Sequence, residues 1–138
     1  MKTEFEFGNL FCLSSLIQVV GWYITYRVIR YAVPKPTVFE EPDKPQAKQR
    51  QIEDYYNCCT SLIHAIVILA LASYSLIFSE DRTWGIEATR IQFIACQLSF
   101  NYFVMDTYLG IFELKTMDAM MAVHHVIMLS ACAHIIVL

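Results

Sequence analysis

Four titratable side chains, His64, Asp106, His124 and His125, lie inside otherwise apolar stretches of this chain. An imidazole can take up or hold a proton near neutral pH, and a carboxylate beside it fixes which ring nitrogen carries that proton. Each of the four stands roughly six or seven residues from a hydrophilic connection, which at about 1.5 Å per residue predicts a common depth about 10 Å below one membrane face. A carboxylate in mid-span costs about 3 kcal/mol on insertion scales, so Asp106 is expected to face a partner or a cavity. Tyr102, one helical turn before Asp106, joins the candidate cluster because its hydroxyl can donate to that carboxylate or to a bound head group. The expectation is one polar intramembrane site made by His64, Tyr102, Asp106, His124 and His125.

The elements that must position these groups follow from composition. Of 138 residues, 57% are hydrophobic and 17% charged, and the mean hydropathy is +0.43. Those values describe an all-α, polytopic membrane bundle, with room for four spans of about 20 residues each and one real connection. The spans are expected at about 10–30, 58–78, 91–112 and 119–138, with a polar linker over 34–56 that holds all four prolines. Trp22, Tyr23 and Tyr26 ahead of Arg27 and Arg30 read as an aromatic belt with snorkelling arginines. The first span reads as a retained helix, since Glu4 and Glu6 outweigh Lys2 and no small-x-small cleavage site follows. Ser79 to Gly85, with Trp84 as an anchor, and Glu113 to Asp118 are short polar turns. Lys and Arg concentrate beside the linker and Lys115, which by the positive-inside rule turns the linker towards the cytosol or the mitochondrial matrix.

Other classes find no support. The net charge is −3 with no basic stripe, so nucleic acid is not expected as a partner. Cys12, Cys58, Cys59, Cys96 and Cys132 sit within or beside apolar segments and read as small packing residues. There is no phosphate loop, dinucleotide fingerprint or His-Glu-x-x-His run. Adjacent histidines are poorly placed for one ion, so neither a metal nor a cofactor is expected. His134 reads as a helix-contact or interfacial histidine.

The polar residues of the later spans repeat on helical faces. Asn57, Ser61 and His64 form one stripe, continued by Ile68 and Ser75, and Ser99, Tyr102, Asp106 and Glu113 form another, with Gly110 permitting close approach. His124 and His125 are about 100° apart around their helix, so one can reach Asp106 while the other reaches His64 or a ligand. On the first span, Ser14, Ser15, Gln18 and Trp22 make a polar-small face for neighbouring helices.

Three runs carry a family resemblance: Asn57 with Ser61 and His64, Asn101-Tyr102-Phe103 ahead of Asp106, and Val123-His124-His125. In this order they resemble motifs of the TLC domain family, which includes ceramide synthases, translocation-associated membrane proteins and other lipid-handling proteins. The resemblance covers about 57–134 as a partial domain. It implies a helical membrane scaffold with a lipid contact. For an enzyme it would imply acyl transfer from a thioester to a lipid amine, with His124 or His125 as general base oriented by Asp106. Members of the family carry further helices and polar residues after the paired histidines, whereas here only His134 follows as a titratable histidine and no acidic residue follows Asp118.

The favoured expectation is therefore structural. Buried polar groups that bond one another can hold helices in register without any substrate. The chain is expected to be an accessory or structural subunit of a larger organelle membrane complex, in the mitochondrial inner membrane or the endoplasmic reticulum, with membrane lipids and other membrane subunits as partners. The alternatives are an acyltransferase related to the ceramide synthases and a free-standing lipid-binding membrane protein.

Overall fold

The computed structural model describes residues 13–36, 45–78 and 90–137, and side chains within these except those of 45–47 and 135–137. Cys12, Pro42 and the Ser79 to Gly85 turn with Trp84 lie outside the described residues. The fold is all-α, with no strand among the described residues. Helix α1 runs Leu13–Ala32, α2 Pro45–Phe78, α3 Arg90–Tyr108 and α4 Ala119–Val137.

Four of the boundaries have a local cause, those at Ala32, Pro45, Tyr108 and Ala119. Pro34 and Pro36 follow α1 directly, and the residue before a proline is driven out of helical geometry. Pro45 opens α2, the position where a missing backbone N–H removes nothing from the helix. Helix α3 passes into a π-helical turn, Leu109–Glu113, whose last bond runs from Leu114 N–H to the Leu109 carbonyl at 2.8 Å. The Gly110 carbonyl then accepts from the backbone N–H groups of Thr116 and Met117. Lys115 adopts φ 53° to make that reversal, a conformation that costs a non-glycine residue about 1 kcal/mol or more. A Cβ on Gly110 would come within 2.8 Å of the Met117 terminal methyl, the far end of a flexible side chain that can move aside. Asp118 restarts the helix: its Oδ1 accepts from Met121 N–H at 2.8 Å, as an N-cap side chain does.

Helix α3 is the hub, packed against α1, α2 and α4, while α1 and α2 also touch each other. Trp22, Tyr26, Tyr56, Tyr102, Phe103 and Met105 form much of the core. The outside is apolar instead: Leu16, Ile17, Ile24, Leu62, Leu69, Met120 and Ile127 are all more than half exposed. Asn57, Thr60, Ser99, Asn101, Asp106 and His125 are buried. That distribution inverts the usual order of a water-soluble protein, in which polar groups cover the surface.

Among the described residues one helix, within α2 over Lys48–Phe78, is long and apolar enough by length and composition to cross a membrane, and Ala119–His134 is a shorter apolar helix. The expected linker over 34–56 needs correction, because helix begins at Pro45 and the chain is packed into the bundle from Glu53 on. Glu53 and Tyr56 are buried rather than solvated. Likewise the expected third span, 91–112, is α3 followed by the π turn rather than one uniform helix.

Candidate functional site

The centre of the site is Asp106 of α3, which side chains of two other helices reach. Asn57 on α2 donates from Nδ2 to Asp106 Oδ1 at 2.8 Å. His125 on α4 places Nε2 at 3.1 Å from Asp106 Oδ2. Its other ring nitrogen, Nδ1, lies 2.8 Å from Thr107 Oγ1, and that hydroxyl donates to the Phe103 carbonyl at 2.6 Å. The proton inventory follows. A threonine hydroxyl has one hydrogen. With it given to Phe103, Thr107 Oγ1 accepts from His125, so Nδ1 carries the N–H. One further proton then sits between Nε2 and Oδ2. Both nitrogens of His125 are therefore engaged inside the protein, and neither is free to take a proton from an outside molecule.

The α2 and α3 stripes meet in antiparallel register. Asn57 faces Asp106, Ser61 faces Tyr102 with 2.6 Å between hydroxyls, and His64 faces Ser99 with Nε2 3.3 Å from Oγ. His64 also stacks on Tyr102, with ring centroids 4.0 Å apart and planes 10° from parallel, and Trp22 meets both rings edge-on. This register corrects the expectation of a common depth. Asn57 is level with Asp106, so His64, two helical turns on, lies about 10 Å further along the bundle. It belongs to an aromatic layer beside the carboxylate layer.

The histidine pair divides as its angular spacing predicts, but with a different second partner. His125 is buried on Asp106. His124 is exposed, resting edge-on against Phe103 at a centroid distance of 5.8 Å rather than on His64. Of the expected five-residue cluster, the structure thus brings Asp106 and His125 together, sets Tyr102 and His64 alongside, and turns His124 out. Glu113, the last member of the α3 stripe, is exposed. The α1 face behaves as its spacing suggests, with Gln18 Oε1 accepting from Asn101 at 2.8 Å and Ser15 Oγ accepting from Gln97 at 3.2 Å. Among the described residues, no three His, Cys, Asp or Glu side chains converge as a metal ion would require.

The site also holds one orphan. Asn57 Oδ1 is buried with no hydrogen-bond partner. Its amide is oriented by Asp106, because turning it over would set two acceptor oxygens against each other.

A second buried carboxylate was not singled out by hydropathy or motif. Glu53 accepts from Tyr26 Oη at 2.7 Å, from Arg30 Nη2 at 2.6 Å and from Gln49 Nε2 at 2.5 Å. The available signal was paired i, i+4 spacing, Tyr26 with Arg30 on α1 and Gln49 with Glu53 on α2. Arg30 is therefore an ion-pair partner as well as a chain-end arginine.

An open groove of about 240 Å³ runs along Ile68, Leu71, Ala72, Ala95, Cys96 and Cys132. Its lining is apolar, and it does not include Asp106 or either member of the histidine pair. No family model, curated protein or solved structure matches the chain.

Proposed function

We propose that this chain is an accessory or structural subunit of a larger organelle membrane complex, a four-span bundle with a partial TLC-like core. The single observation that carries this reading is the closure of the Asp106 network. Asp106, Asn57, His125 and Thr107 spend their bonding capacity largely on one another across α2, α3 and α4, and they sit beneath an apolar exterior. A general base needs a lone pair within reach of a substrate proton. His125 has none to offer, and the apolar groove along Ile68, Ala72 and Cys96 is not lined by it. A network of this kind fixes helix arrangement, whereas interhelical bonds in membranes average only about 0.6 kcal/mol each and add little stability singly.

Helix length supports four spans. Helices α1, α3 and α4 have 20, 19 and 19 residues, close to the roughly 20 residues that match a hydrocarbon core of about 30 Å. Asp106, the acidic residue within them, is turned inward, where Asn57 and His125 satisfy it, while Arg27, Arg30 and Arg90 are exposed. Lipids are the natural contacts of the exposed apolar surface.

Two measurements test the proposal. Tags or glycosylation acceptors at the N-terminus, in the proline segment and after α4 should report the proline segment on one side and both ends on the other. Gentle solubilisation of native membranes should yield the chain in a particle much larger than its own 16.0 kDa. Release as a lone 16.0 kDa species would reject the subunit reading. A His125→Ala variant that leaves the assembly intact but abolishes a lipid product would instead favour catalysis.

A further inference from the structure

Two short contacts at Thr107 fix a proton count. Its Oγ1 lies 2.6 Å from the Phe103 carbonyl and 2.8 Å from His125 Nδ1, and one hydroxyl hydrogen cannot serve both. Two oxygens 2.6 Å apart attract only with a hydrogen between them. The threonine hydrogen therefore lies on the Phe103 side, and the imidazole supplies the other from Nδ1. Nε2 and Asp106 Oδ2, 3.1 Å apart, then need a further hydrogen between them. A neutral imidazole owns a single N–H. The folded pair thus holds one proton more than a neutral imidazole and a carboxylate hold together.

Charge balance agrees with that count. With the proton, the buried pair is neutral overall. Without it, the layer would hold a carboxylate and no permanent cation. The titratable groups facing the pair are His124 on α4, Tyr102 on α3 and Cys58 on α2. Helix α1 presents Trp22 against Tyr102, and the π turn contributes buried Leu109 and Gly110. An unpaired buried charge is strongly disfavoured.

We infer that Asp106 and His125 form a proton-loaded latch, which docks α4 on α3 with one bound proton and loosens as the medium turns alkaline. The inference concerns the chain's own fold, and holds whether the bundle works alone or within a complex. Helix α4 packs on α3, and His125 bonds the two helices through both ring nitrogens. In the unfolded chain a free carboxyl sheds its proton above about pH 4 and a free imidazole above about pH 6.5. Between those values folded and unfolded chains hold the proton alike, and the latch is at full strength. Above about pH 6.5 only the folded chain keeps it. Stability is therefore lost as pH rises, by about tenfold in the folding constant per pH unit, until the pair itself gives up the proton.

The test follows unfolding of the full chain in detergent between about pH 6.5 and 8.5. Asp106→Asn places an amide where the folded wild type holds a protonated carboxyl. Its N–H can meet His125 Nε2 while its oxygen accepts from Asn57, and it takes up no proton. The folding constant of Asp106→Asn relative to wild type should climb by about tenfold per pH unit across that range, because the other titrating groups are common to both. Parallel pH profiles overturn the inference. Nitrogen NMR of isotope-labelled wild type, with the His125 ring assigned through its contact with Thr107, should show Nδ1 bearing hydrogen at about pH 7. An Nδ1 without hydrogen puts the threonine hydrogen on the ring side and overturns the inference as well. Should Asp106→Asn fail to fold, the wild-type spectrum decides.

Discussion

Glu53 and Asp106 are both 5% exposed, yet they lie in opposite settings and are neutralised by different means. Glu53 belongs to a charged stretch and takes a permanent cation, Arg30, together with a phenol and an amide. Asp106 belongs to an apolar stretch and takes an imidazole that is charged only when protonated, together with one amide. The first cluster ties α1 to α2, and the second ties α2, α3 and α4. Arg30 reaches solvent with a side chain 40% exposed, whereas His125 is 5% exposed in its side chain. The lesson concerns the partner. An acid can be buried beside water if its cation stays wet, but deep in the bundle the acid and its base must be buried as a unit.

That contrast sets the order of substitution effects. Asp106→Ala is expected to cost most, about 3–5 kcal/mol, because it strands a buried imidazole and a buried amide together. Such a loss takes much of a typical stability of about 5–15 kcal/mol. It should appear as a large fall in the unfolding midpoint of the detergent-solubilised protein, with Asp106→Asn falling less because its volume and one acceptor survive. Wild-type stability in Asp106→Ala would break the claim that the network is structural.

In the Glu53 cluster the two partners are expected to be unequal. Glu53→Ala strands the Tyr26 hydroxyl but lets Arg30 turn to water, a cost of about 1–3 kcal/mol. Arg30→Gln leaves the 7%-exposed carboxylate without its cation and should be the worse of the two. Equal midpoints for the two variants would show that Glu53 is not held as a buried anion. His124→Leu, by contrast, alters an exposed side chain with no internal hydrogen bond and should leave the midpoint close to wild type.

Much of this arrangement is legible in sequence, and the exceptions have physical reasons. Apolar runs bounded by prolines and charges locate the helices, and period-3.6 spacing puts Asn57, Ser61 and His64 on one face and Ser99, Tyr102 and Asp106 on another. Spacing does not set register. Once Asn57 is level with Asp106, antiparallel packing carries His64 to Ser99, so equal distance from a connection did not mean equal depth. The 100° between His124 and His125 requires them to diverge, but which one meets Asp106 depends on the α3–α4 packing. Glu53 is obscured because proline and charge over 34–56 read as linker, although proline at a first helical position and a charged first turn are compatible with helix. Its burial comes from the crossing of α1 over α2, a tertiary fact that no local pattern encodes.

The smallest effect tests whether the carboxylate layer and the aromatic layer are separate. Ser61 Oγ lies 3.0 Å from the Asn57 carbonyl and 2.6 Å from the Tyr102 hydroxyl; with its proton on the carbonyl the Tyr102 hydroxyl donates to Ser61, and with its proton on Tyr102 the phenol is released to donate to Asp106. If the layers are separate, Tyr102→Phe removes only the bond to Ser61, which keeps the Asn57 carbonyl as its acceptor. The ring keeps its stack on His64 and its edge contact with Trp22. The expected cost is about 1 kcal/mol, the worth of one ordinary hydrogen bond. Tyr102→Leu should cost clearly more, because the stack goes as well. If Tyr102→Phe instead lowers the midpoint as far as Asp106→Ala, the phenol acts on the Asp106 carboxylate, and the two layers are one network.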